Sequence, residues 1–144
     1  MGENHRSLSK IKISEFMINN PYFTVPDEKI SATERLMLRK NVGGLPVVKN
    51  IKNKQIIGII TQRDIRLARF ATNLDSPNTR VRDLMTSDPI TIKQEETFLV
   101  ALEKMMTNRI ERLPVVNPNK ELIGLITEES ILERLFKFLK DTNT

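Results

Sequence analysis

The sequence predicts an α+β fold built from two like units, each running β-α-β-β-α. Two observations carry that prediction. The chain repeats its own landmarks in the same order, at an offset near 68 residues that drifts to 66. Within each unit the apolar spacing passes from helical to strand-like periodicity at matching places.

The repeat opens with IKISEFMINNPYFTV (11–25), which resembles RVRDLMTSDPITI (80–92). Met17 falls on Met85, Pro21 on Pro89 and Thr24 on Thr91. A short helical turn is expected at Ile13–Met17 (Val81–Met85), then an extended piece at Tyr22–Val25 (Pro89–Ile92). A helix follows. Ala101, Leu102, Met105 and Met106 recur at the spacing of one buried helical face, and Ile30, Thr33, Leu36 and Met37 do so less cleanly. Two short strands come next, Val47–Val48 (Val115–Val116) and Gln55–Ile60 (Glu121–Ile126). Asn50–Asn53 and Asn117–Asn119 between them suit hairpin turns. A last helix starts after Thr61 or Thr127. In the second unit Ile131, Leu132, Leu135, Phe136 and Leu139 form one apolar stripe, suited to the partner repeat or to a second subunit. The predicted organisation is a frayed 1–10, a first repeat at 11–70, a polar joint at 71–80 and a second repeat at 81–140. A unit this small is near the lower limit of independent stability, so the two are expected to pack as one body.

Composition narrows the chemistry. The 144 residues contain no cysteine and one histidine, His5, which rules out thiolate sites and argues against an imidazole-bound zinc. No nucleophile–base constellation or Gly-rich phosphate loop is visible, so an enzyme is not expected. No apolar run is long enough to span a bilayer, and residues 1–10 lack the apolar stretch of a signal peptide. A cytoplasmic protein is expected. The net charge of +5 favours anionic partners, although scattered Lys and Arg are also what an ordinary solvated surface carries.

The strings GLPVV and RLPVV, then IIGIIT and LIGLIT, then a polar pair with Asp64 in the first copy, resemble the cystathionine-β-synthase-type (CBS) repeat. The resemblance covers about residues 11–136. It implies two repeats packed with pseudo-two-fold symmetry, inter-repeat clefts that bind AMP, ADP, ATP or, second to these, S-adenosylmethionine, and homodimers shaped as flat discs. It implies a regulatory, ligand-sensing module with no catalytic residue, metal or cofactor, whose regulated protein is unknown.

In Thr61-Gln62-Arg63-Asp64 the resemblance assigns Thr61 and Asp64 to the ligand's phosphate and ribose. The chemistry fits, because a carboxylate accepts from both ribose hydroxyls. Thr-x-x-Asp is equally a helix capping box, and the two roles can coexist. Arg63 and Arg66, one turn on, and Arg109 and Arg112, before the second LPVV, are the candidate phosphate cations. Each could equally be a solvated surface residue. Tyr22, Phe23, Thr24, Val25, Val47 and Ile60 are candidates for the adenine slot, with Tyr22 and Phe23 equally suited to core or interface. The second cleft, with Thr91, Val115, Thr127 and Ser130, is expected to be weak. Ser130 stands where Asp64 stands, and Glu128 and Glu129 add repulsive charge. The alternatives are a nucleic-acid-binding protein, suggested by charge, or a ligand-free dimerisation module.

Overall fold

A computed structural model describes residues 7–72 and 77–142. In chain order the elements are β1 (Ile18–Asn19), α1 (Ile30–Lys40), β2 (Gly44–Val48), β3 (Ile56–Thr61), α2 (Gln62–Thr72), α3 (Val81–Leu84), β4 (Thr86–Ser87), β5 (Ile92–Lys93), α4 (Phe98–Asn108), β6 (Arg112–Val116), β7 (Leu122–Thr127) and α5 (Glu128–Thr142). The residues fall into two compact units. One, the central unit, is Tyr22–Pro89; the other, the terminal unit, is drawn from Met1–Pro21 and Ile90–Thr144.

In the central unit β2 and β3 form an antiparallel hairpin, with Gly44 opposite Thr61 and Leu45 opposite Ile60. The terminal unit repeats this with β6 and β7, Arg112 opposite Thr127 and Leu113 opposite Ile126. Even the bulge recurs, at Val47/Val48 and at Val115/Val116. Alternation along β3 buries Ile56, Gly58 and Ile60, the period-two pattern of a strand with one covered face. Ile30, Met37, Leu45, Val47, Ile60, Ile65 and Val81 make the core of the central unit. Ile11, Ile13, Ile92, Phe98, Ala101, Met105, Leu113, Val115, Ile126 and Ile131 make that of the terminal unit. Each such aliphatic side chain contributes about 1.5–3 kcal/mol by leaving water.

The third strand of each hairpin sheet comes from the lead-in to the other repeat. β4 pairs antiparallel with β3, and β1 with β7. The units seen in space therefore differ from the blocks 11–70 and 81–140 read along the chain. The lead-ins carry a methionine that crosses a glycine: Met85 lies over Gly58, and Met17 over Gly124. A side chain at either glycine would fill the space the methionine uses.

Several expectations change in detail. Thr24 forms a parallel bridge to Val47, as Ile92 pairs in parallel with Val115. The structural counterpart of Thr24 is thus Ile92, not Thr91. The offset holds at 68 through this strand, and a coincidence of residue type suggested 67. On α4, Ala101 and Met105 are buried but Met106 is 71% exposed. On α5, Ile131 is buried and Leu135 packs against the terminal core, while Leu132, Phe136 and Leu139 are exposed, which leaves the expected role of that stripe open. Near the N-terminus, Leu8–Lys10 form a 3-10 turn with Leu8 against the terminal core, whereas 1–6 lie outside the described residues. The joint at 71–80 is described only in part: α2 runs through Thr72, residues 73–76 lie outside the description, and Thr79 is buried with its carbonyl accepting from Ile30 N–H.

Candidate functional site

Thr61 ends β3 and begins α2. Its Oγ1 accepts from the Asp64 backbone N–H at 3.1 Å, and Asp64 Oδ2 accepts from the Thr61 N–H at 2.9 Å. These reciprocal bonds satisfy two donors that a helix start otherwise leaves open. The Gln62 N–H is taken by the Gly43 carbonyl at 2.9 Å. The capping reading of Thr-x-x-Asp therefore holds. It uses one carboxylate oxygen and leaves Oδ1 with no hydrogen bond among the described residues. Asp64 is half-buried, and this second carboxylate oxygen keeps its acceptor capacity beyond the cap.

The terminal unit builds the same corner with a hydroxyl. Ser130 N–H donates to Thr127 Oγ1 at 3.1 Å, Thr127 N–H to Ser130 Oγ at 3.3 Å, and Glu128 N–H to the Glu111 carbonyl at 3.1 Å. Ser130 is buried and its hydroxyl also meets Thr127 Oγ1 at 3.0 Å. Its oxygen is thus committed inside the corner, and Glu128 and Glu129 are exposed beside it.

Around Thr61 the other candidates divide. Arg63 and Arg66 are exposed on the opening turns of α2. Thr24, Val47 and Ile60 lie inside the core, and Thr24 is fully engaged: its N–H donates to the Pro46 carbonyl, its carbonyl accepts from Val48 N–H, and its hydroxyl meets Thr33 Oγ1 at 3.1 Å. Thr33, expected as part of the α1 face, is the partner of this hydroxyl, and its signal in the sequence is a lone hydroxyl on an otherwise apolar helix face. Val25 and Phe23 are half-buried and Tyr22 is exposed. Each ring carries a lysine, Lys40 Nζ at 5.2 Å from the Tyr22 centroid and Lys54 Nζ at 5.1 Å from that of Phe23, so the aromatic faces are already shared with cations.

In the terminal unit Arg109 caps α4 in the left-handed region, φ 53°, where its counterpart Asn41 has the same φ. Asn tolerates that conformation better than Arg. Arg112 opens β6 opposite Thr127, 3.6 Å from the Glu111 carboxylate. The Thr91 carbonyl accepts from Lys104 Nζ at 2.8 Å, and Val115 is fully buried. Among the described residues no group of three His, Asp or Glu side chains stands ready to hold a metal ion, and no helix is long and apolar enough to cross a membrane.

Similar proteins put this geometry in context. The family model of the CBS domain matches residues 13–70 and 81–137. The chain is 36% identical over 138 residues to inosine-5'-monophosphate dehydrogenase of Streptococcus pyogenes serotype M3, covering 94% of this chain and 27% of that protein. It is 35% identical over 130 residues to the Methanocaldococcus jannaschii enzyme, covering 90% and 25%. The chain thus spans about a quarter of the length of these curated relatives. Among solved structures it resembles the CBS domain pair of protein MJ0100 in complex with 5'-methylthioadenosine and S-adenosyl-L-methionine, at TM-score 0.73 and 26% identity over 88% of this chain and 97% of that one. It also resembles CBSX2 in complex with AMP, at TM-score 0.76 and 22% identity over 88% and 97%. Two matched domains, two equivalent hairpin units and two equivalent helix corners agree: the chain is a tandem CBS pair and belongs to the CBS domain family.

Proposed function

We propose that the chain is a non-catalytic regulatory module of the cytoplasm, and that its central unit binds an adenine nucleotide (AMP, ADP or ATP) through Thr61 and Asp64. One observation carries the reading. The same helix corner is capped by a carboxylate in the central unit and by a buried hydroxyl in the terminal unit. Capping needs only one acceptor, so the surplus charged oxygen of Asp64 is available to ribose hydroxyls, to which it accepts as a charge-assisted partner. Arg63 and Arg66, exposed on the opening turns of the same helix, are the cations this reading gives to the phosphate. The terminal corner offers no such oxygen and is flanked by Glu128 and Glu129, which disfavour an anion there. The 26%-identical MJ0100 pair, bound to two adenosine compounds, supports the ligand class. The nucleotide is a sensed ligand and not a cofactor, and its effect is a shift in the conformations a partner protein reads.

Asp64→Ser separates the two roles of this carboxylate, because the terminal unit already caps its helix with serine. Calorimetric titration with AMP, ADP, ATP and S-adenosylmethionine is expected to show one strong site per chain for an adenine nucleotide. Asp64→Ser should raise its Kd about ten- to a hundredfold, the loss of one hydrogen bond to a charged group. The melting temperature without ligand should stay the same. Unchanged affinity in Asp64→Ser would remove the assignment. RNA binding that collapses with salt and ignores Asp64→Ser would replace it with the nucleic-acid reading, which the siting of the whole net charge favours: the central unit has twelve basic and seven acidic residues, the terminal unit eleven of each.

A further inference from the structure

The chain has no cysteine and six methionines, so methionine carries all the sulfur on which a two-electron oxidant can act. The five among the described residues sit in three environments. Met37 and Met105 are buried in the two cores, at 0% and 6% exposure, and Met106 is 71% exposed on α4. Met17 and Met85 lie between these extremes. Both are half-buried, partly open to solvent and packed against the cores of their own units. They hold equivalent positions at the 68-residue offset, and each lies on the glycine of the strand beside it.

That seat is close. Met85 Sδ stands 2.9 Å from the point where a Cβ on Gly58 would be, and Met17 Sδ stands 2.6 Å from the same point on Gly124. A backbone carbonyl oxygen borders each seat, that of Thr86 at 2.9 Å from the point on Gly58 and that of Ile18 at 3.1 Å from the point on Gly124. A thioether suits such a place, because it is apolar, slender and polarisable. A sulfoxide is polar and bulkier. An oxygen added toward the glycine has no room and meets the negative end of the bordering carbonyl. An oxygen added on the open side draws the sulfur toward water and off its apolar seat. The strands beside these contacts are short. β1 and β4 are two residues each, at the edges of their sheets, and pairing of that length opens at low local cost.

We propose that Met17 and Met85 are paired, reversible oxidation sites, and that their sulfoxides release β1 from β7 and β4 from β3. The oxidant is hydrogen peroxide. The thioether sulfur attacks one peroxide oxygen and the O–O bond breaks. The sulfur gives up two electrons and keeps that oxygen, whose proton passes to the departing oxygen, which leaves as water. A dithiol-driven methionine sulfoxide reductase returns the thioether, with the oxygen released as water and the dithiol left as a disulfide. Both methionines lie outside the candidate nucleotide residues, so this site can fail while the nucleotide reading stands, and the reverse.

Dilute hydrogen peroxide tests it, with peptide mass spectrometry at each methionine and amide hydrogen exchange on the treated protein. In the folded chain Met17 and Met85 are expected to oxidise at least about tenfold faster than Met37 and Met105. After oxidation the amides of β1, and that of Asp88, which donates to the Ile57 carbonyl, should exchange about tenfold faster or more. Methionine sulfoxide reductases A and B should reverse the change. A Met17→Leu/Met85→Leu chain keeps both seats apolar, so peroxide should oxidise its Met106 and leave its exchange as it was. Met17 and Met85 oxidising no faster than Met37 overturns the proposal, because oxidation would then follow global unfolding. So do sulfoxides at both positions with exchange in β1 and β4 unchanged, and so does a double-leucine chain that loosens under peroxide as the wild type does. The first two readouts use the wild-type chain, and they decide the matter even where the leucines fail to fit.

Discussion

Gly58→Ala tests why each hairpin carries a glycine in the middle of its second strand. A Cβ built at Gly58 would lie 2.9 Å from Met85 Sδ, 3.4 Å from Met85 Cγ and 2.9 Å from the Thr86 carbonyl oxygen. At Gly124 it would lie 2.6 Å from Met17 Sδ, 3.1 Å from Met17 Cγ and 3.1 Å from the Ile18 carbonyl oxygen. Neither glycine has a positive φ, so alanine strains no backbone angle and gains about 0.4–1 kcal/mol by stiffening the unfolded chain. Overpacking costs about 1–3 kcal/mol. At Gly58 the obstacle includes backbone of β4, which can yield only by loosening the β3–β4 pairing, so a net loss of about 1–2 kcal/mol is expected. At Gly124 the severe overlap is with the end of a flexible thioether, and the backbone oxygen needs to give only a few tenths of an ångström. Urea unfolding followed by circular dichroism, with double-mutant cycles, separates the cases. Met17→Ala should cancel most of the Gly124→Ala penalty. Met85→Ala should leave much of the Gly58→Ala penalty in place, because Thr86 remains. A Gly58→Ala protein as stable as wild type, or one fully rescued by Met85→Ala, would refute the close-approach account.

Two further predictions concern buried hydroxyls. Thr24→Val strands the Thr33 hydroxyl and should cost about 1–3 kcal/mol by urea unfolding, whereas Thr24→Ile with Thr33→Ala copies the Ile92 and Ala101 of the terminal unit and should be close to neutral. Thr61→Ala removes the acceptor for Asp64 N–H and should cost about 0.5–2 kcal/mol in a thermal or urea melt, and Thr127→Ala should match it within a fraction of that.

The sequence spelled out the hairpins because their signals are local. Alternation in IIGIIT and LIGLIT, Asn-rich turns, and Thr at the strand end each act within a few residues. The capping geometry at Thr61 and the helix start after Thr127 are legible for the same reason. The destination of the lead-ins was not. β1 and β4 are two residues long, their pairing partners lie over 100 and about 30 residues away, and only the glycines under Met17 and Met85 mark where they land. The buried face expected of α4 is narrower than its pattern, because a helical apolar stripe is the same string whether it faces its own core or another molecule: Met106 fits the pattern and stays in water. In the adenine slot that the resemblance implies, Thr24 is named from its extended segment, and the segment does not reveal that its hydroxyl meets Thr33 and its backbone groups pair with Pro46 and Val48.

The two corners also bear on what a capping box can say about function. A cap at this position is worth about 1 kcal/mol whether its acceptor is carboxylate or hydroxyl, and both forms occur here in one chain on equivalent backbone: Thr61 with Asp64, Thr127 with Ser130. The helix start does not discriminate between them. What differs is the remainder after capping. Asp64 keeps a second carboxylate oxygen outside the cap, on a helix that also carries the exposed Arg63 and Arg66; the single oxygen of Ser130 is shared among Thr127 groups, with the exposed Glu128 and Glu129 next to it in the chain. On the proposed reading, a ligand with adjacent hydroxyls and a phosphate uses that difference. An Asp64→Ser variant that folds alike and binds alike would return the carboxylate to the helix that it caps.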